Sequence, residues 1–201
     1  MIVAAHQTML APQGAPLPYD AEVEYVQTDG YAYVDTGVFL ASSAEISAIF
    51  SNCLVAQGSQ FFGARTAYAV DMFGAQWSGR GLLNFNFGSR QDSTSASFDN
   101  SPQILTVRNN VLTLGSFSVT SRPSAFTTTF PAYILCMNDG GSATVRYAGL
   151  RCHGFRIEQS GTLVRDYIPV RVGSVGYLYD RASGTLYGNA GTGAFTIGPD
   201  K

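Results

Sequence analysis

Apolar and polar residues alternate along most of this chain, and the alternation has the two-residue period of a β-strand. In 45–51 the order Glu-Ile-Ser-Ala-Ile-Phe-Ser turns Ile46, Ala48 and Phe50 to one face. In 82–88, Leu83, Phe85 and Phe87 oppose Asn84 and Asn86, and in 68–73, Val70 and Met72 oppose Ala69, Asp71 and Phe73. A loop over 74–81 (Gly-Ala-Gln-Trp-Ser-Gly-Arg-Gly) is expected between those two strands. Phe61-Phe62-Gly63-Ala64-Arg65 reads as a strand whose glycine marks a bulge or a close approach. Residues 104–115 read as a hairpin: Leu105 and Val107 lead in, Asn109-Asn110 tolerates the positive φ of a tight turn, and Leu112 and Leu114 lead out. Phe126, Thr128 and Phe130 alternate, and Tyr133 to Met137 is apolar throughout, which predicts one buried strand ending in the turn Asn138-Asp139-Gly140-Gly141. From Val145 the alternation runs through Leu150 and Cys152, then slips phase at His153-Gly154 so that Phe155 and Ile157 take the inner face; a β-bulge accounts for the slip. Leu163, Val164, Ile168 and Val170 continue the sheet after a turn at Gln159-Ser160-Gly161. No segment holds an apolar pattern at i, i+3, i+4, i+7, so no long helix is expected.

Composition narrows the picture. The 201 residues suit one large all-β domain, an antiparallel two-sheet sandwich over 19–201. Residues 1–18 carry Pro12, Gly14, Pro16 and Pro18 among small residues and read as an extended arm, either a loose terminus or a segment whose Ile2, Val3, Met9 and Leu10 dock on a neighbouring subunit.

 The net charge is −2 and Lys201 is the only lysine, with the arginines scattered singly, so the basic stripe that a phosphate backbone requires is missing and nucleic acid is not an expected partner. No apolar run approaches the roughly 20 residues of a membrane-spanning helix. Cys53, Cys136 and Cys152 form no metal-binding pattern; buried free thiols are expected, with a Cys136–Cys152 bridge as the alternative. The first residues, Met-Ile-Val-Ala-Ala-His, lack the positive start of a secretory signal, which leads to an expectation of release by cell lysis or an intracellular location.

Candidate chemistry centres on 71–86. A sugar is held by an aromatic plane against its ring face and by amide, carboxylate or guanidinium groups on its hydroxyls. Trp77, Arg80, Asp71, Asn84 and Asn86 supply that set; the alternative is that Trp77 covers the sandwich rim and the two asparagines merely face solvent. Asp35 and Thr36 suit a turn cap beside Gly37 better than a metal or sugar site. Asp139 alone falls short of the six to eight oxygens of a calcium site, and neither a metal nor any other cofactor is expected. Glycoside hydrolysis needs two carboxylates across the scissile bond, and Glu22, Glu24, Glu45 and Glu158 form no catalytic run. His6 and His153 have no nucleophile and orienting carboxylate at a recognisable spacing, so no enzyme is expected.

Several short segments, in order, resemble concanavalin A-like, laminin-G-like jelly-roll domains. They are Tyr33-Val34-Asp35-Thr36-Gly37, the aromatic-Gly-small-Arg segment ending at Arg65, the run Leu163 to Arg171, Gly176-Tyr177-Leu178-Tyr179-Asp180, Leu186-Tyr187 and Gly191-Thr192-Gly193-Ala194-Phe195. Such domains are common in gut-bacterial surface proteins and their phages. The resemblance implies a jelly-roll sandwich and a recognition or display role on a virion, as a fibre, tail or capsid-decoration component that binds glycans or other host-surface groups. A bacterial cell-surface or extracellular location is the alternative. So is a purely structural protein that reaches other virion or surface proteins through residues 1–18; a glycoside hydrolase ranks below both. A symmetric homo-oligomer is the general expectation for such proteins.

Overall fold

A computed structural model describes residues 16–53, 56, 58–144 and 148–201. Among them there is no helix. The strands are β1 (Ala21–Glu22), β2 (Val26–Gln27), β3 (Val34–Asp35), β4 (Ala44–Ser51), β5 (Gln60–Arg65), β6 (Met72–Trp77), β7 (Leu82–Gly88), β8 (Arg90–Ser95), β9 (Gln103–Arg108) and β10 (Val111–Leu114). They continue with β11 (Phe117–Thr120), β12 (Tyr133–Ile134), β13 (Met137–Asp139), β14 (Ser142–Thr144), β15 (Arg151–Gln159), β16 (Thr162–Val172), β17 (Val175–Asp180), β18 (Thr185–Tyr187) and β19 (Thr196–Ile197). The larger sheet runs β11-β10-β9-β4-β15-β16-β17-β18, with β1, β2 and β19 joined at one end, and the smaller runs β14-β13-β5-β6-β7-β8, with β12 and β3. Every pairing is antiparallel except β13 on β5.

The two sheets meet through the residues that alternation assigns inward. Ile46, Ala48 and Phe50 of β4 are buried with Phe155 and Ile157 of β15, and from the other sheet come Phe62, Phe73, Phe85 and Phe87. Ring contacts join the layers: Phe50 lies 5.2 Å from Phe61, and Phe62 lies 5.3 Å from Phe155. Each such ring withdrawn from water contributes about 1.5–3 kcal/mol, against the entropy of ordering the chain. The expected hairpin is present, with Asn109 at φ 55° between β9 and β10. The phase slip at His153 is a bulge: Cys152 pairs with Phe50 and Gly154 with Ile49, leaving His153 unmatched.

Three expectations are corrected. The strand expected over 68–73 and the loop over 74–81 are displaced, because 72–77 is the strand and the chain turns just before it, with Ala69 at φ 62° and Asp71 at φ 46°. Gly74 belongs to this strand because its neighbour leaves no room for a side chain: a Cβ there would sit 2.6 Å from the Phe62 carbonyl oxygen. The run 133–137 is buried as expected but is not one strand. Leu135 takes φ 67°, so β12 lies antiparallel to β5 and β13 parallel to it. The alternation at Phe126, Thr128 and Phe130 forms no strand; this stretch makes only an isolated bridge, Ala41 to Thr127. All three cysteines are free and buried, so Cys136 and Cys152 are not bonded. The arm lies outside the described residues up to position 15.

Both ends of the domain close on each other. Asp29 accepts hydrogen bonds from the amides of Tyr31 (2.8 Å), Ala32 (2.9 Å) and Ala194 (2.8 Å). Burial works against its charge, but the amides of Ala194, Tyr31 and Ala32 outweigh it and hold the carboxyl below the usual range. Asn189 Oδ1 accepts from the Tyr33 amide at 3.1 Å, and its amide nitrogen donates to the Gly193 carbonyl at 2.6 Å. Gly191 is required here, since a Cβ would come 1.9 Å from the Tyr31 carbonyl oxygen. The Tyr-Val-Asp-Thr-Gly segment and the Gly-Thr-Gly closure, far apart in sequence, therefore stand side by side.

Candidate functional site

The five sugar-site candidates do not converge. Trp77 is only 3% exposed and packs edge-on against Phe98 at 4.7 Å, so its indole belongs to the core and presents no plane to solvent. Inward orientation follows from its place in β6, alternating with Gln76 and sharing the face of Phe73 and Ala75. Asn84 and Asn86 share the opposite face of β7, paired with Gln76 and Gly74, but both are buried, at 8% and 2% exposure. Asp71 precedes β6, whereas Arg80 lies in the exposed turn after it, so the strand separates them by roughly 20 Å.

A different group assembles at the rim of the smaller sheet. Ala67 to Val70 makes a tight turn closed by the Val70 amide on the Ala67 carbonyl at 3.1 Å. Tyr68, at its tip, is 67% exposed. Its ring lies 5.9 Å from the guanidinium carbon of Arg65. Arg65 is itself held by Asp139, through Nε at 2.8 Å and Nη2 at 2.5 Å. That two-point pairing raises the Arg65 pKa, against a smaller opposing effect of burial. The Gly140 amide donates to the Arg65 carbonyl at 2.9 Å, so the β13–β14 turn is fastened beside the tyrosine turn. Asp71, in the left-handed region, completes the loop. The set is an exposed ring beside a guanidinium immobilised by one carboxylate, that of Asp139. Sequence reasoning missed Tyr68 because it placed that residue inside a strand; the signal available was its setting between small residues, Ala67 and Ala69.

A concavity of about 460 Å³ lies on the solvent face of the larger sheet, bounded by Glu45, Ser47, Thr106, Arg108, Arg156 and Glu158. Glu45 and Glu158 are cross-strand partners of like charge, which alone is unfavourable. Each is matched by an arginine: Arg108 to Glu45 at 3.0 Å and Arg156 to Glu158 at 2.7 Å.

The structure also brings Ser51 Oγ within 2.7 Å of His153 Nε2, a contact made by the bulge. Ser51 is buried, and burial lowers the His153 pKa, with the Glu24 backbone partly opposing that effect. No group of three metal-ligating side chains occurs among the described residues. Among the described residues no helix is long and apolar enough to cross a membrane. No family model and no curated protein matches this chain.

Proposed function

We propose that this chain is a non-enzymatic recognition and display module of concanavalin A-like jelly-roll type, carried on a phage virion as a fibre, tail or capsid-decoration component. It binds glycans or other host-surface groups at the rim around Tyr68. The observation that carries this reading is the 67% exposed Tyr68 ring standing beside Arg65, whose orientation Asp139 holds. A pyranose face stacks on such a ring, while the Arg65 guanidinium donates to its hydroxyls. The jelly-roll assignment is supported by the meeting of the opening and closing segments through Asp29 and Asn189. A non-catalytic role is supported by the ion pairing of Asp139 with Arg65, of Glu45 with Arg108 and of Glu158 with Arg156.

The test is a panel of bacterial and mucosal glycans, scored for both binding and cleavage with the intact chain, Tyr68→Ala and Arg65→Gln. Binding without cleavage, weakened about tenfold or more by Tyr68→Ala, is the expected result; that factor corresponds to about 1.4 kcal/mol. Cleavage, or binding indifferent to Tyr68→Ala, would refute the reading. A structural assembly role is the second reading, favoured by Ile104 and Ile49, which are 62% and 40% exposed on the larger sheet.

A further inference from the structure

We infer that the concavity on the solvent face of the larger sheet is a second ligand site, taking one ring of a neutral, hydroxyl-rich glycan and distinct from the rim at Tyr68. The inference rests on the reading of this chain as a glycan-recognition module and adds to it a site that the reading does not assign.

The site follows from strand register. Ile46, Ala48 and Phe50 of β4 point into the core, so Glu45, Ser47 and Ile49 point to solvent. Ser47 stands opposite Thr106 of β9 on one side and Arg156 of β15 on the other, and Glu45 stands opposite Glu158. Two short hydroxyl side chains thus lie side by side among long charged ones, and that difference in length makes the hollow, of about 460 Å³. The volume is within the range of about 300–1,000 Å³ in which small ligands are held.

Charge selects the ligand class. Arg108 and Arg156 balance Glu45 and Glu158, so the hollow has no net charge to draw in an ion of either sign. Its groups are instead half-engaged. Arg108 Nε donates to Oε2 of Glu45 at 3.0 Å, and Arg156 donates to Oε1 of Glu158 through Nε at 2.8 Å and Nη2 at 2.7 Å. The pairs fix all four side chains, while Glu45 Oε1, Glu158 Oε2 and the terminal N–H groups of Arg108 are left for a ligand. Carboxylates directly opposite on neighbouring strands stand about 5 Å apart at Cβ and repel each other. A hydroxyl donating to them relieves that repulsion, and its neighbour on the same ring accepts from the guanidinium; adjacent hydroxyls that both donate and accept are what a pyranose offers. Ile49 and Ile104, the next solvent-facing residues along β4 and β9, are 40% and 62% exposed and give the C–H face of the ring an apolar contact.

This site and the rim stand at the same end of the sandwich. Ala41, just before β4, bridges to Thr127, and Thr129 Oγ1 hydrogen-bonds Thr66 Oγ1, beside the Tyr68 turn. A polymer that meets both sites is held at the second by the effective concentration that the first provides.

Amide nuclear magnetic resonance titration of the full chain tests this, with the methyl glycosides of glucose, galactose, mannose and N-acetylglucosamine as probes, each to about 50 mM. Saturating shifts at the Ser47, Thr106 and Arg156 amides, with a millimolar dissociation constant for at least one probe, are expected. Glu45→Gln and Arg156→Gln should each weaken that binding about tenfold, Ser47→Phe should abolish it by filling the hollow, and Tyr68→Ala should leave it unchanged. Absence of those shifts with all four probes, or shifts that survive Ser47→Phe or both charge-removing variants at unchanged far-ultraviolet circular dichroism, overturns the site. A probe that shifts Tyr68 but not Ser47 overturns this site and keeps the rim, whereas one that shifts Ser47 but not Tyr68 does the reverse, so the two readings fail separately.

Discussion

Trp77→Ala separates a core tryptophan from a ligand-stacking one. The side chain is 3% exposed, lies in the cluster with Leu83 and Phe98, and makes an edge contact to Phe98 at 4.7 Å. Removing a buried aromatic of this size costs about 3–5 kcal/mol, from lost transfer energy and the cavity left behind. In a domain of this length each kcal/mol shifts the melting temperature by about 2–4 °C, so a fall of roughly 6–20 °C is expected. One feature tempers the cost: the indole Nε1 is buried with no hydrogen-bond partner. Trp77→Phe removes that unsatisfied donor, whose burial costs about 1–3 kcal/mol, and is expected to destabilise far less than Trp77→Ala. Trp77 is the only tryptophan, so its fluorescence reports the site directly. Native emission should be blue-shifted and insensitive to iodide, and urea melts of both variants give the free energies. A loss below about 1 kcal/mol for Trp77→Ala, with iodide quenching in the native wild type, would refute the core placement.

Burial pushes the thiol of Cys53 up to about 12, Cys136 up to about 11 and Cys152 up to about 12. An Ellman titration at pH 8 should therefore find essentially no reactive thiol in the native protein and all three once it is unfolded. Burial holds the His153 imidazole below its ordinary range. Its contribution to stability is thus complete above the unfolded pKa of about 6.5 and is lost as pH falls through the lower folded value. Urea melts between pH 7.5 and 5 should show stability falling with pH, and His153→Gln should flatten that slope; an unchanged slope would contradict the burial argument.

Much of the fold was legible because strand periodicity is local. Ile46, Ala48 and Phe50 had to share a face whatever lay opposite, Asn109-Asn110 could close a two-residue turn, and the phase slip at His153 could be read from the order of Cys152, His153, Gly154 and Phe155. Glycine was less legible, since it serves both a turn and a close approach of two backbones. Gly74 is of the second kind only because Phe62 passes beside it, and that displaced the expected strand by several residues and hid Tyr68. The apolar run 133–137 showed burial but not direction, which depends on the left-handed turn at Leu135 and on the two ways β5 accepts its neighbours. Side-chain type named Trp77 as a ligand plane, whereas its exposure depends on which face of β6 meets the opposing sheet. The pairing of Arg65 with Asp139, of Asp29 with the Ala194 amide, and of Glu45 with Glu158 across strands joins residues 74, 165 and 113 positions apart. Local pattern sets which residues face inward; only the closed sandwich decides which distant ones meet.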